Sequence, residues 1–119
     1  MNNEISFAIQ RTPPSLNLML RQHWAQRRET QKTWDNWIKY YWIANNKKVF
    51  MVPVELFYTL VFPKGVIRDV DNYIGGTKFI TDALKKTFLP RDDSEWVKNV
   101  SISFRKGPEM TVIKIKEAR

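Results

Sequence analysis

The sequence predicts an α+β fold, a single domain over residues 1–119 in which a mixed sheet of about four strands packs with two helices in the order β-α-β-α-β-β. Three observations lead there. Several segments alternate apolar and polar residues, the signature of half-buried strands. Two stretches instead space their apolar residues three and four apart, the signature of one helix face. The length of 119 residues, with 43% hydrophobic and 13% aromatic content, supports one real core but not two independent ones.

Residues 4–10 place Ile5, Phe7 and Ile9 on one face and Glu4, Ser6 and Ala8 on the other, which predicts a first strand. Pro13-Pro14 ends it, because proline cannot continue a ladder, and a loop is expected through Asn17 toward His23. From Trp24 to Asn45, the residues Trp34, Trp37, Ile38, Tyr41 and Trp42 make one apolar stripe, and Asn45-Asn46 punctuates the helix end. Residues 52–62 alternate again, with Phe57 and Val61 adding apolar character to the second face, so an interior strand covered on both sides is expected. Pro63-Lys64-Gly65 reads as a turn. A second helix is expected to start near Asp71 or Asn72, with Tyr73, Thr77, Ile80, Ala83, Leu84 and Phe88 as its stripe. Gly75-Gly76 inside it costs roughly 1 kcal/mol per glycine relative to alanine, a cost that is tolerated where another backbone, or DNA, must come close. Trp96, Val100, Ile102 and Phe104 mark a third strand, and residues 111–116 are expected to return from it as a hairpin after Lys106-Gly107-Pro108.

Composition removes several functional classes. The chain has no cysteine and one histidine, His23, so a disulfide framework, a thiolate zinc site and a histidine cluster are all excluded. Any metal is therefore held by oxygen, which favours magnesium or manganese over zinc. No apolar run reaches membrane-spanning length, and Met1-Asn2-Asn3-Glu4 has no signal-peptide character, so a cytoplasmic protein is expected. A formal charge of +8 points to a polyanionic partner.

Against that charge, half of the twelve acidic residues (Asp69, Asp71, Asp82, Asp92, Asp93 and Glu95) lie between positions 69 and 95. Carboxylates repel a polyanion unless a divalent cation sits between acid and phosphate. In extended chain, residues two apart point the same way, so Asp69 and Asp71 can face one cation and the 92–93 pair can complete the site. The spacing admits a second reading without metal: Asp71 as a helix N-cap, Asp69 favoured by the helix dipole, Asp92-Asp93 as turn residues. Asp82 is assigned to a structural salt bridge. Lys78 is either a solvated helix lysine or a cation for phosphate.

Between Arg21 and Lys48 stand seven basic residues (Arg21, Arg27, Arg28, Lys32, Lys39, Lys47, Lys48) among aromatics. The tryptophans read as core anchors and the arginines near the loop as DNA contacts. His23 reads as a loop or phosphate-contact residue in preference to a general base.

Four segments taken together resemble the RusA family of Holliday junction resolvases of bacteria and phages. They are Pro13-Pro14-Ser15 with Asn17; Arg68-Asp69-Val70-Asp71-Asn72; Lys78 four residues before Asp82-Ala83-Leu84; and Asp92-Asp93 followed by a strand containing Val97. The resemblance covers most of the chain and implies a RusA-like α+β homodimer that binds four-way DNA junctions and nicks opposite strands with magnesium, manganese substituting. Carried over, Asp69, Asp71 and Asp93 are the metal-holding catalytic aspartates and Lys78 the catalytic lysine, with Asp92 an alternative ligand or, like Asn72, a residue standing behind the ligands. Asn17, Arg21, Arg27, Arg28, Arg68 and Lys78 are the expected DNA contacts; neither a membrane nor a nucleotide cofactor is expected. Relative to shorter-spaced members, about three extra residues around Ile74-Gly75-Gly76 separate Asp71 from Lys78, close to one helical turn. The alternatives are a nuclease of other branched DNA and a non-catalytic nucleic-acid-binding protein.

Overall fold

A computed structural model describes residues 3–63, 73–91 and 93–118. The architecture is α+β with a mixed four-stranded sheet. The chain divides into two compact units, each assembled from separated segments: a sheet unit (Met1–Thr12, Phe50–Ile67, Arg91–Arg119) and a helical unit (Pro13–Val49, Arg68–Pro90).

The sheet unit holds β1 (Glu4–Ile9), β2 (Val54–Phe62), β3 (Val97–Lys106) and β4 (Met110–Glu117). Their spatial order is β1-β4-β2-β3, with β4 antiparallel to both β1 and β2, and β2 parallel to β3. Alternation decides which side chains are hidden. Leu56, Tyr58 and Leu60 of β2 and Ile113 and Ile115 of β4 are each 0–1% exposed, and Leu56 lies opposite Ile115 and Tyr58 opposite Ile113. Each such side chain, fully buried, contributes roughly 1.5–3 kcal/mol relative to exposure. Thr111 is buried on the same face because its hydroxyl donates to the Arg11 carbonyl at 2.6 Å. The second face of β2 is more open than expected. Val61 is buried, but Phe57 is only half-buried, with the Lys114 ammonium 5.2 Å from its ring centroid.

The expected hairpin between the last two strands does not form. β2 lies between β3 and β4, and the turn joining them passes over the end of β2: the Gly107 N–H donates to the Phe62 carbonyl at 2.8 Å. A Cβ at Gly107 would lie 3.0 Å from Cγ1 of Val61, so the bare backbone is what lets the turn cross so closely. The physical reason is burial. β2 is apolar enough to need a neighbour on each edge, whereas β3 exposes Lys98, Asn99, Ser103, Arg105 and Lys106 and suits an outer position.

The helical unit contains α1 (Leu16–Arg21), α2 (Trp24–Ala44) and α3 (Lys78–Lys85), the last entered through a tight 3-10 turn at Gly75–Thr77. Among the described residues the element order is thus β-α-α-β-α-β-β, with a short helix, α1, where a loop was expected. That helix forms because the Ser15 hydroxyl accepts the Leu18 N–H at 3.2 Å, capping a run of good helix formers after Pro13-Pro14. α2 starts at a reciprocal cap: the His23 ring accepts the Ala25 N–H at 3.2 Å, and the Gln26 side chain accepts the His23 N–H at 3.1 Å. It ends where Asn46 and Lys47 adopt left-handed backbone (φ 59° and 54°) and Lys47 N–H returns to Trp42 O at 2.8 Å. Within this unit α2 packs on α3. Trp34 and Ile38 are buried on α2, and Phe79, Ile80, Ala83 and Leu84 on α3. Asp35 joins the two, accepting from Lys86 at 2.6 Å and from Gln31 at 2.9 Å, while Gln31 also donates to Phe79 O at 2.9 Å. Among the described residues no helix is long and apolar enough to cross a membrane.

Candidate nucleic-acid interface and acidic residues

Arg68, Asp69, Asp71, Asn72 and Asp92 lie outside the described residues. The structure speaks to Asp93, Lys78, Asn17, Arg21, Arg27 and Arg28.

The Pro-Pro-Ser segment and the Gly75-Gly76 pair come together in the helical unit. A Cβ on Gly76 would fall 2.0 Å from the Pro14 carbonyl oxygen and 3.3 Å from the Pro13 Cβ, so no residue larger than glycine fits without moving backbone. The close approach expected at these glycines is therefore made by another stretch of this chain. Ser15 stands at the end of the same segment as the cap of α1. Lys78 follows Gly76 by two residues and opens α3.

Lys78 is 72% exposed, and its ammonium pairs with Asp82 one turn on at 3.2 Å, as expected for Asp82. An exposed pair of this spacing is worth a few tenths of a kcal/mol, about 0.3–0.5, so little opposes release of the lysine to another anion. The sides of α3 next to it are committed, since Phe79 and Ile80 are buried.

In the sheet unit Asp93 builds the turn into β3. Its Oδ1 accepts the Glu95 N–H at 3.0 Å, and its carbonyl accepts the N–H groups of Trp96 and Val97 at 3.0 and 2.8 Å. Its Oδ2 accepts from Arg91, whose guanidinium also reaches Glu95 at 3.3 Å and lies 5.8 Å from the Trp96 ring centroid. The hydrogen bond from Arg91, with help from the Glu95 N–H, holds the Asp93 carboxyl below the usual carboxylate range, and Asp93 in turn raises Arg91. Asp93 is thus an ionised, exposed, oxygen-only acceptor, the donor type a hard cation takes, but its present counter-ion is Arg91. Among the described residues no three acidic or histidine side chains gather into a metal-holding group.

The α1–α2 junction carries the expected cations. Asn17, Arg21, Arg27 and Arg28 are all exposed, and Arg21 donates to the Asn17 carbonyl at 3.4 Å. The first turn of α2 contains no acid. Trp24 departs from the expectation that the tryptophans are core. Trp34 is 2% exposed, but Trp24 is 56% exposed, with the Arg28 guanidinium 4.5 Å from its ring centroid and the His23 ring 5.3 Å away, tilted by 39°. The signal was present in the sequence: Trp24 stands ahead of the apolar stripe, with Arg27 and Arg28 at the positions where a core residue would find apolar neighbours. The roles of Arg91 and of the His23–Gln26 cap were also missed; Arg91-x-Asp93-x-Glu95 and the three-residue spacing of His23 and Gln26 were their traces.

No family model and no curated protein matches the sequence.

Proposed function

We propose that this chain is a RusA-like, magnesium-dependent, structure-specific DNA endonuclease that resolves four-way junctions by paired nicks, acting as a homodimer in recombination and repair. The observation that carries the reading is the seating of Pro14 on Gly76. One RusA-like segment, Pro13-Pro14-Ser15, meets backbone to backbone the glycine turn that leads into a second, which begins at Lys78, and the fit accounts for the glycine at position 76. Asp69, Asp71 and Asp93 would hold the magnesium, as hard oxygen donors in a chain without cysteine. When bound, the ion lowers the pKa of a water and neutralises charge on the scissile phosphate. Lys78 leaves its weak pairing with Asp82 to meet charge growing at the phosphoryl centre. Asn17, Arg21, Arg27, Arg28 and Arg68 hold the DNA backbone, and two subunits about a two-fold axis match the symmetry of a junction.

The bond between Asp93 and Arg91 favours a second reading, a non-catalytic nucleic-acid-binding protein in which Asp93 is a turn residue. A labelled four-way junction separates the two. Wild-type protein is expected to make paired nicks in magnesium and none in EDTA. Asp71→Asn should cut at least about 100-fold more slowly while binding the junction as well or better, because it removes a ligand charge and eases phosphate repulsion. Binding by the wild type without nicking in magnesium selects the second reading.

A further inference from the structure

We propose that Trp24, backed by Arg28, is a stacking platform for an unpaired base, so that the preferred nucleic acid contains single-stranded or splayed nucleotides. The inference rests on the nucleic-acid-binding part of the reading above and not on its catalytic part. An indole that is 56% exposed forgoes most of the gain that burial gives Trp34, which is 2% exposed on the same helix. It is not left loose. Its Arg28 neighbour lies 4.5 Å from the ring centroid, well inside cation–π range, and the His23 ring beside it is pinned by the bond it accepts from Ala25 N–H. The ring is therefore held in place before any ligand arrives, which lowers the entropy cost of stacking.

Charge identifies the occupant. Arg21, Arg27 and Arg28 are exposed on this short stretch, and no acid stands in the first turn of α2. An aromatic face flanked by guanidinium groups suits a base with phosphates on either side, because every base has a π-face and the cations track its backbone. A base pair buried in a duplex offers the indole only an edge. The same ring meets an unpaired base face to face.

The test is binding in EDTA, where cleavage plays no part. The probes are a short single-stranded oligonucleotide carrying 2-aminopurine, a blunt duplex of the same sequence, and anionic phosphatidylserine vesicles. Trp24→Ala is expected to weaken single-strand binding roughly tenfold and reduce 2-aminopurine quenching, while duplex affinity changes less than about twofold; Trp24→Tyr should recover most of the loss. Thermal melts of the variants should match wild type, since the side chain is exposed. Unchanged single-strand affinity, an equal loss on duplex, absence of wild-type binding to the oligonucleotide, or a loss confined to the vesicles overturns the proposal. Junction cleavage together with single-strand binding that ignores Trp24 defeats this inference alone. Trp24-dependent binding without any nicking defeats the nuclease alone.

Discussion

The central strands of the sheet unit use their apolar residues differently from the helical unit, although the sheet unit too leaves Met51, Val52 and Val100 between 41% and 70% exposed. In the sheet unit the central strands hide theirs: Val54, Leu56, Tyr58, Leu60, Ile113 and Ile115 are at most 1% exposed. The helical unit buries Trp34, Ile38, Ile80 and Leu84 but also leaves Leu18, Leu20, Trp24, Tyr40, Ile43 and Ile74 between 42% and 68% exposed. The exposed set is interleaved with cations: Arg28 lies against the Trp24 ring, and Arg21 and Arg27 are exposed on the same stretch. The contrast separates two tasks. Strand alternation is directed to stability, while the helices also keep large side chains at the surface.

The widest gap in that comparison should appear when one apolar side chain is truncated in each setting. Leu56→Ala, at a fully buried site, is expected to cost about 2–5 kcal/mol in urea unfolding. Tyr40→Ala, at a site 68% exposed, should stay within about 0.5 kcal/mol. Comparable losses at the two sites would erase the distinction between the units.

Glycine substitution sharpens it at the next scale. Gly76→Ala forces a methyl against a backbone carbonyl, an overpacking that costs typically 1–3 kcal/mol. Gly107→Ala meets the tip of Val61, which can give by a few tenths of an ångström, and also places a side chain on positive-φ backbone at φ 157°; it should still cost less, about 1 kcal/mol. Chemical denaturation of the pair checks the order; a reversed ranking would show that the Pro14 segment yields more easily than the strand-crossing turn.

The smallest effect belongs to Asp93. Its pKa is depressed in the folded protein, so its contribution is present above the ordinary carboxylate value of 3.8 and disappears as pH falls through the lower folded value. Wild type should therefore exceed Asp93→Asn in stability by a constant margin between about pH 7 and 5, and that margin should close below 3.8. Because both Asp93 and Arg91 are exposed, the margin is small and should shrink further in high salt. A margin that grows on acidification would rule out the Arg91 pairing as its source.

Much of the fold was legible because alternation and helix periodicity survive tertiary packing: β1, α2, β2 and the extents of β3 and β4 follow from the positions of Phe7, Trp34, Leu56 and Ile113. α1 was not, since six residues are too short for periodicity, and its signal was the single hydroxyl of Ser15 beside two prolines that suggest a loop. The strand order failed for another reason. Adjacency in sequence favours a hairpin, but the competition for the edges of β2 is settled by burial across the whole sheet. In the candidate site, the residue types and spacing pointed to Lys78 with Asp82 and to the basic junction. The choice Asp93 makes between a cation and a guanidinium depends on Arg91, a neighbour with no motif of its own.

The central place of β4 has a consequence for synthesis and refolding. Residues 110–117 are translated after β1, β2 and β3, yet they supply the neighbour for both β1 and β2, pairing Glu4 with Lys116 and Glu55 with the same residue from the other side. Until they leave the ribosome, β1 has no partner strand and β2 has one open edge. The sheet cannot assemble hairpin by hairpin. Its contact order is high, which slows folding, and the nascent chain carries an unsatisfied apolar edge that chaperones or a misplaced copy can occupy. A premature stop shortly before Met110 would therefore remove more than one strand's worth of structure, leaving β1 without a sheet to join.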